Sequence, residues 1–340
     1  MAGKKRGYII MNLGSPDSTS VKDVRNYLNE FLMDERVIDK SYLLRTMLVK
    51  GIITPFRAPK SAEAYETIWT KEGSPLVNIT YQQQKALQQL ITEPVEVAMR
   101  YGNPNMKFAY DKMLRENPGV EEVVLLPLYP HYAMSSYETA VEHAKTVHAK
   151  GKYPFSIRFV DPFYNHPAFI EALAESIKPY LTNNNTHLLF SYHSIPEGHV
   201  TKRDPTGTHC LTSKDCCTTT SPAHKFCYRH QCYVTTRLVV ERLGVTAYKY
   251  SVAFQSKLGR AEWLKPATTA RMEQMPAEGI KDLAVVCPAF VSDCLETLEE
   301  INVREKENFL KAGGQNYTFI PCMNEQPKWI NAMKTLLLEA

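Results

Sequence analysis

The stretch Leu188-Leu189-Phe190-Ser191-Tyr192-His193-Ser194-Ile195-Pro196 decides the fold of this 340-residue chain. The apolar run before His193 is that of a strand buried in a parallel sheet, and Pro196 breaks it. Open α/β sheets bind their ligands at the carboxyl ends of strands, so His193 is expected at a binding site. Immediately downstream lies a run of five cysteines, Cys210, Cys216, Cys217, Cys227 and Cys232, which places thiols beside a titratable, metal-binding side chain.

Outward from that strand, short apolar runs alternate with amphipathic stretches along the whole chain. Gly7–Leu13, Val95–Met99, Val123–Pro127, Ser156–Val160, His187–Tyr192, Ala247–Phe254, Leu283–Val286 and Tyr317–Ile320 read as strands. Strands separated by helical patterns imply parallel sheets with crossover helices. The loop at 161–167 breaks the series near mid-chain, so the expected architecture is α/β, two doubly wound Rossmann-like halves with a site between them. The expected divisions are 1–162, 163–322 with the cysteine-rich insert 197–232, and a C-terminal helix within 323–340, near Glu325–Leu338, packing back on the first half. Two regions leave the pattern. Residues 21–70 carry helix-like segments with the apolar groups Phe31-Leu32-Met33, Tyr42-Leu43-Leu44 and Met47-Leu48-Val49, which suit either ordinary core packing or an exposed apolar lip for a flat ligand or a membrane surface. The segment Glu197–Gln231 has turn chemistry and no period, and a stretch of that length is usually functional or tied down.

Composition narrows the classes. With 44% hydrophobic and 22% charged residues the bulk is globular, and a formal charge of +4 is too small and too dispersed for a nucleic-acid groove. No apolar run approaches the roughly 20 residues a spanning helix needs. The Lys4-Lys5-Arg6 start leads into a first strand, not an export signal, and eight cysteines without such a signal suit a reducing compartment, so the cytoplasm is expected.

Beside His193, the chemistry-bearing candidate is Val286-Cys287-Pro288 followed by Ser292-Asp293-Cys294-Leu295-Glu296-Thr297-Leu298-Glu299-Glu300. A helix is expected to start at Ser292 or Asp293, with Asp293, Glu296 and Glu300 on one face. Such a stripe is either a solvated face or, turned inward, a set of carboxyls whose burial raises their pKa toward neutrality.

Ser191–Pro196, Ser292–Glu300, Tyr129-Pro130-His131-Tyr132, Gln255-Ser256-Lys257-Leu258-Gly259 with Trp263-Leu264, and Gly73-Ser74-Pro75-Leu76 occur in the order in which they stand in ferrochelatases, and the chain resembles that family from about residue 7 to 335. The resemblance implies insertion of ferrous iron into a porphyrin, protoporphyrin IX or coproporphyrin III, a lyase reaction of haem synthesis in a cleft between two halves. It implies His193 and Glu296 as the facing metal-binding and proton-handling pair, with Glu300 passing protons to solvent. Two pyrrole protons leave as iron enters, so a neutral imidazole is a suitable acceptor, and mixed nitrogen and oxygen ligation lets the iron move on. By the same resemblance Arg57 pairs with a propionate, Tyr129 and Tyr132 neighbour the cleft, and Trp263 walls the ring; a surface arginine and core aromatics are the plain alternatives. Cys294 occupies a position where animal members carry His, and a thiol is no base at neutral pH without a lowered pKa.

Some members of the family carry a [2Fe–2S] cluster, the animal ones drawing on a C-terminal extension that this sequence does not show, so the ligands expected here are internal: Cys210, Cys217, Cys227 and Cys232, with Cys216 as substitute. Structural zinc, helped by His209, His224 or His230, and free thiols remain the alternatives. The expected partners are porphyrin and ferrous iron, with peripheral contact to the inner membrane through the lip; no oligomeric state is legible. A cobalt or nickel chelatase is disfavoured because no second His stands at Cys294, and a tetrapyrrole carrier or iron–sulfur sensor of the same fold because His193 and Glu296 are intact.

Overall fold

The computed structural model describes residues 4–181, 185–246, 249–257 and 261–340. Among them the apolar runs form eight strands: β1 (Arg6–Ser15), β2 (Val95–Gly102), β3 (Glu122–Pro127), β4 (Ser156–Phe159), β5 (His187–His193), β6 (Tyr250–Gln255), β7 (Asp282–Val286) and β8 (Asn316–Phe319). Each expected strand is present, though Ala247 and Tyr248, expected to open the sixth, lie outside the described residues. The strands build two four-stranded sheets, ordered β2-β1-β3-β4 and β6-β5-β7-β8, with every pairing parallel. Both sheets therefore wind alike, and the winding reverses direction between β1 and β3 and again between β5 and β7. Tyr8–Met11 of β1 and Leu188–Tyr192 of β5 are buried throughout, because central parallel strands are covered on both faces. Each fully buried aliphatic side chain there contributes about 1.5–3 kcal/mol.

By contact clustering the chain forms two compact units, one of residues 1–128, 134–161 and 330–340, the other of 129–133 and 162–329. In the second, Leu189, Ala253, Leu283, Val285, Ile301 and Phe309 make a single apolar cluster between the sheet and its helices. The C-terminal helix runs Pro327–Glu339.

The two irregular regions resolve differently. Residues 21–70 are helical: Val21–Leu32, capped by the Ser20 hydroxyl, then Tyr42–Thr46, a π-helix Met47–Ile53, and Thr54–Ile68. Val49, Thr54 and Ala58 turn inward, whereas Leu43 and Phe56 are each 76% exposed and Tyr42, Met47 and Ile52 are also exposed, so the apolar lip is a surface. The cysteine-rich segment, expected without regular structure, contains a short helix Glu197–Lys202 and a 3-10 turn Pro222–Phe226. Its exit helix, Tyr228–Leu243, begins four residues before the end of the segment expected to lack a period, Glu197–Gln231, because the Cys227 sulfur accepts the His230 N–H at 3.4 Å and caps it. Among the described residues no helix is long and apolar enough to cross a membrane.

Candidate functional site

His193 ends β5, in register with Gln255 of β6, and is the half-buried member of an otherwise buried strand. Beyond it the Ser194 N–H bonds the Gln255 carbonyl at 2.8 Å, and Pro196 cannot extend the ladder. The His193 Nδ1 lies 2.6 Å from the Ser194 carbonyl oxygen. A carbonyl can only accept, so Nδ1 carries a proton, and in the neutral ring the lone pair is then on Nε2. The ring stands edge-on to Phe290 at 6.2 Å, and the His193 carbonyl accepts the Tyr228 hydroxyl at 2.9 Å.

The acidic segment departs from its expected form. The helix is entered at Leu295 and continues as a π-helix, Glu296–Glu305. Asp293 lies before it, 4% exposed, and does not share a face with the glutamates. Its carboxylate accepts from the Thr297 hydroxyl at 2.9 Å, the Asn324 amide at 2.8 Å and the Cys322 N–H at 3.2 Å, which pins the loop in place of an N-cap. Four residues apart on this helix, Glu296 is close enough for its charge to be felt at Glu300. Glu300 accepts the Ser256 N–H at 2.9 Å and its hydroxyl at 2.5 Å. Burial pushes the Glu300 carboxyl up to about 7 even though the Ser256 hydroxyl pulls it down, and the Glu296 charge adds to the rise. Ser256 holds a left-handed backbone, φ 66°, a strain of about 1–2 kcal/mol for a residue with a side chain; that turn lets its N–H and its hydroxyl reach one carboxylate.

Gln255 and Ser256 thus join the histidine to the acidic helix. Gln255 pairs with His193, accepts the Ser191 hydroxyl at 2.8 Å and donates to the Glu296 carbonyl at 3.4 Å, while the next residue holds Glu300. Both stood in a motif of the sequence without an assigned role, and no side-chain pattern signals a left-handed serine. Lys257 of that motif is described; Leu258 and Gly259 are not.

The other expected residues divide. Trp263 forms an antiparallel bridge with Pro196, flanked by Glu197 N–H to the Glu262 carbonyl at 2.9 Å and Leu264 N–H to the Ile195 carbonyl at 3.2 Å, so it stands directly beyond the histidine. Its indole N–H is buried with no acceptor among the described residues. Tyr129 is buried, and Tyr132 packs edge-on to Phe226 at 5.2 Å while its N–H donates to Gln231 at 2.7 Å, against the cysteine-rich insert. Arg57 belongs to the other unit, half-buried on helix Thr54–Ile68, with no ion pair among the described residues.

A family model described as Ferrochelatase matches residues 5–340. A ferrochelatase from Pseudomonas fluorescens is 46% identical over 330 residues, which cover 96% of this chain and 96% of that one. Another, from Opitutus terrae, is 48% identical over 329 residues, 96% of this chain and 95% of that one. The chain belongs to the ferrochelatase family. Among solved structures, the sirohydrochlorin chelatase SirB from Bacillus subtilis subspecies spizizenii in complex with cobalt has a similar fold, with a TM-score of 0.55 at 10% identity over 98% of this chain and 94% of that one.

In this chain the insert gathers four sulfurs. Cys227 is the hub: its sulfur interacts with the thiols of Cys217 and Cys210 and with the His230 N–H, and these hydrogen bonds hold its pKa below the ordinary thiol value. Burial pushes Cys210 up to about 12, and donation to Cys227 pushes Cys217 up as well. Arg229 points its guanidinium at Cys216 and Cys217, 3.6 and 3.7 Å from their sulfurs. Cys232 is fully buried, within hydrogen-bonding reach of the Tyr228 phenol and near enough to Cys227 to feel its charge. Three of the expected ligands, Cys210, Cys217 and Cys227, thus meet here with the substitute Cys216 beside them, and Cys232 stands one turn into the exit helix. The histidines are turned to the backbone: His209 and His224 donate to the Cys216 carbonyl at 2.7 and 3.0 Å, and His230 to the Cys217 carbonyl at 2.6 Å. Asp204 orders the approach, accepting the N–H groups of His209 and Cys210, both at 2.8 Å. Among the described residues no three such side chains are arranged around a single ion, so the thiols meet one another and not a common centre.

Proposed function

We propose that His193 and Glu296 carry the reaction of this family in this chain, insertion of ferrous iron into protoporphyrin IX or coproporphyrin III with release of two protons, the metal-chelatase step of haem synthesis within the lyase class. His193 Nε2 receives the pyrrole protons, Glu296 meets the incoming iron with an oxygen ligand, and Glu300 hands protons to solvent. The observation that carries this reading is the Ser194 carbonyl on Nδ1, which puts the lone pair of the neutral imidazole on Nε2, at a strand end. Glu300, a carboxyl near 7 held by the residue after Gln255, supports the proton path, since a group at that value gives and takes protons at neutral pH. Trp263, Tyr129, Tyr132 and Arg57 are assigned to the porphyrin, Arg57 through a propionate.

Zinc insertion into a soluble porphyrin, followed by fluorescence, tests the assignment. His193→Ala and Glu296→Gln are expected to bind porphyrin and to lose about 10²–10⁴ in insertion rate. Undiminished turnover in either variant removes that residue from the mechanism, and a wild-type protein that binds porphyrin without ever metallating it is a carrier.

The four gathered thiols are assigned to a [2Fe–2S] cluster. Their sulfurs supply the four donors it takes, and Arg229 offsets the negative charge that four thiolates bring. When bound, the cluster supplies metal–thiolate cross-links to the insert; Cys210, Cys216, Cys217 and Cys227 would hold it.

The exposed lip is assigned to peripheral contact with a bilayer on the cytoplasmic side. Leu43, Met47, Ile52 and Phe56 present apolar surface, and the exposed Lys40, Lys50 and Lys60 accompany them, a combination that binds anionic interfaces.

A further inference from the structure

The insert and the histidine meet at one phenol. Tyr228, the first residue of the exit helix, is 4% exposed, and its hydroxyl donates to the His193 carbonyl at 2.9 Å. The residue before it is Cys227, the hub of the thiols and the cap of the same helix. One turn later Cys232 lies within hydrogen-bonding reach of the same phenol. The Tyr228 ring stands edge-on to His131 at 5.8 Å, and the His131 Nε2 lies 2.9 Å from the Thr235 hydroxyl of that helix. Thr236 bonds the Tyr192 hydroxyl at 2.8 Å. The helix thus grips the last two residues of β5, where pairing with β7 has already ended at Phe190 and only β6 still runs alongside.

The peptide unit between His193 and Ser194 shows what the grip does. Its oxygen is held by Tyr228 and its N–H by the Gln255 carbonyl, so the plane is fixed from both ends. That plane carries Ser194, whose own carbonyl holds the imidazole Nδ1. A tilt of the peptide therefore turns the ring, and without the phenol one end of the peptide is untethered.

We infer that Tyr228 is a positioning residue for His193, and that through it the ligation state of the insert's thiols sets where the imidazole stands. The second half rests on the reading of the thiols as a metal centre. Metal–sulfur bonds fix Cys227, Cys227 fixes the first turn of the helix, and that turn carries the phenol. Loss of the metal frees the hub and loosens the turn.

The test compares wild type with Tyr228→Phe, which keeps the ring and removes the hydroxyl, each as purified and after a chelator has stripped metal from the thiols. The readouts are zinc-insertion kinetics and the ring-nitrogen resonances of His193 in protein labelled at histidine. In the metal-loaded protein the variant is expected to shift the His193 resonances and lower kcat about 3–10-fold, the effect of one neutral hydrogen bond, with the KM for porphyrin unchanged. Stripping is expected to move the resonances of wild type and to leave those of the variant in place. Wild-type resonances and kcat in the variant overturn the positioning role. An equal shift on stripping in both proteins overturns the route through the phenol. Metal content is measured first: a purified protein with neither iron nor zinc on its thiols sinks the metal-centre reading and the coupling with it, while the Tyr228→Phe comparison in that same protein still decides the positioning role.

Discussion

Glu300 is the side chain whose charge the fold alters in the most testable way. Burial raises its pKa to about 7, whereas the unfolded chain gives up that proton near the ordinary carboxylate value of roughly 4.3. Between the two the native state binds more protons than the unfolded one, so the contribution of this group to stability is fully present below the unfolded value and is lost as pH rises through 7. Glu300→Gln cannot ionise and is expected to lose less stability than wild type between pH 5 and pH 8, as read from denaturant midpoints; parallel pH profiles for the two proteins contradict the assignment. The same group shapes the rate. If it accepts protons as a carboxylate, insertion rises with pH through a limb near 7, and Glu300→Gln removes that limb at a cost of about 10² in rate. Ser256→Ala deletes the hydroxyl that lowers this pKa, so the limb is expected to move to higher pH. Cys294 has no such part: burial and the neighbouring Glu296 hold its thiol well above the ordinary value, so it stays protonated.

At the scale of elements, two helices were placed in the sequence but not shaped by it. Hydrophobic pattern located the acidic helix, yet a 3.6-residue period put Asp293 on the same face as the glutamates, and only the π-helical path shows it tied to Asn324 and Cys322 instead. The exit helix of the insert starts four residues early because a cysteine caps it, and serine, threonine, asparagine and aspartate are the signals usually sought there. That offset decides which sulfurs meet. Cys216→Ser and Cys217→Ser are expected to abolish the visible absorption and the reduced-state EPR signal of a [2Fe–2S] centre, whereas Cys232→Ser retains both. Loss of the signal in the Cys232 variant with retention in the Cys216 variant restores the set expected from spacing alone. A colourless wild type with one zinc per chain replaces the cluster by a structural ion.

For the whole molecule, the exposed lip makes a prediction that its unit carries alone. Leu43→Glu and Phe56→Glu alter side chains that are each 76% exposed, so stability is expected to stay within about 0.5 kcal/mol while sedimentation with anionic vesicles falls. Unchanged vesicle binding removes the lip from any membrane role. The eight strands and their division into two doubly wound sheets were legible in the sequence, because burial on both faces writes an uninterrupted apolar run into the central strands, while the exposed edge strands β4 and β8 showed through their alternation with helices. The place of His193 followed from the same logic: a strand must end where proline removes a donor, and such ends carry ligands in this architecture. Tertiary structure alone decided the serine that turns left-handed to hold Glu300 and the phenol that ties insert to strand. Each of these is a contact between side chains or carbonyls far apart in the chain, or a single dihedral, and a local pattern of residue types contains neither.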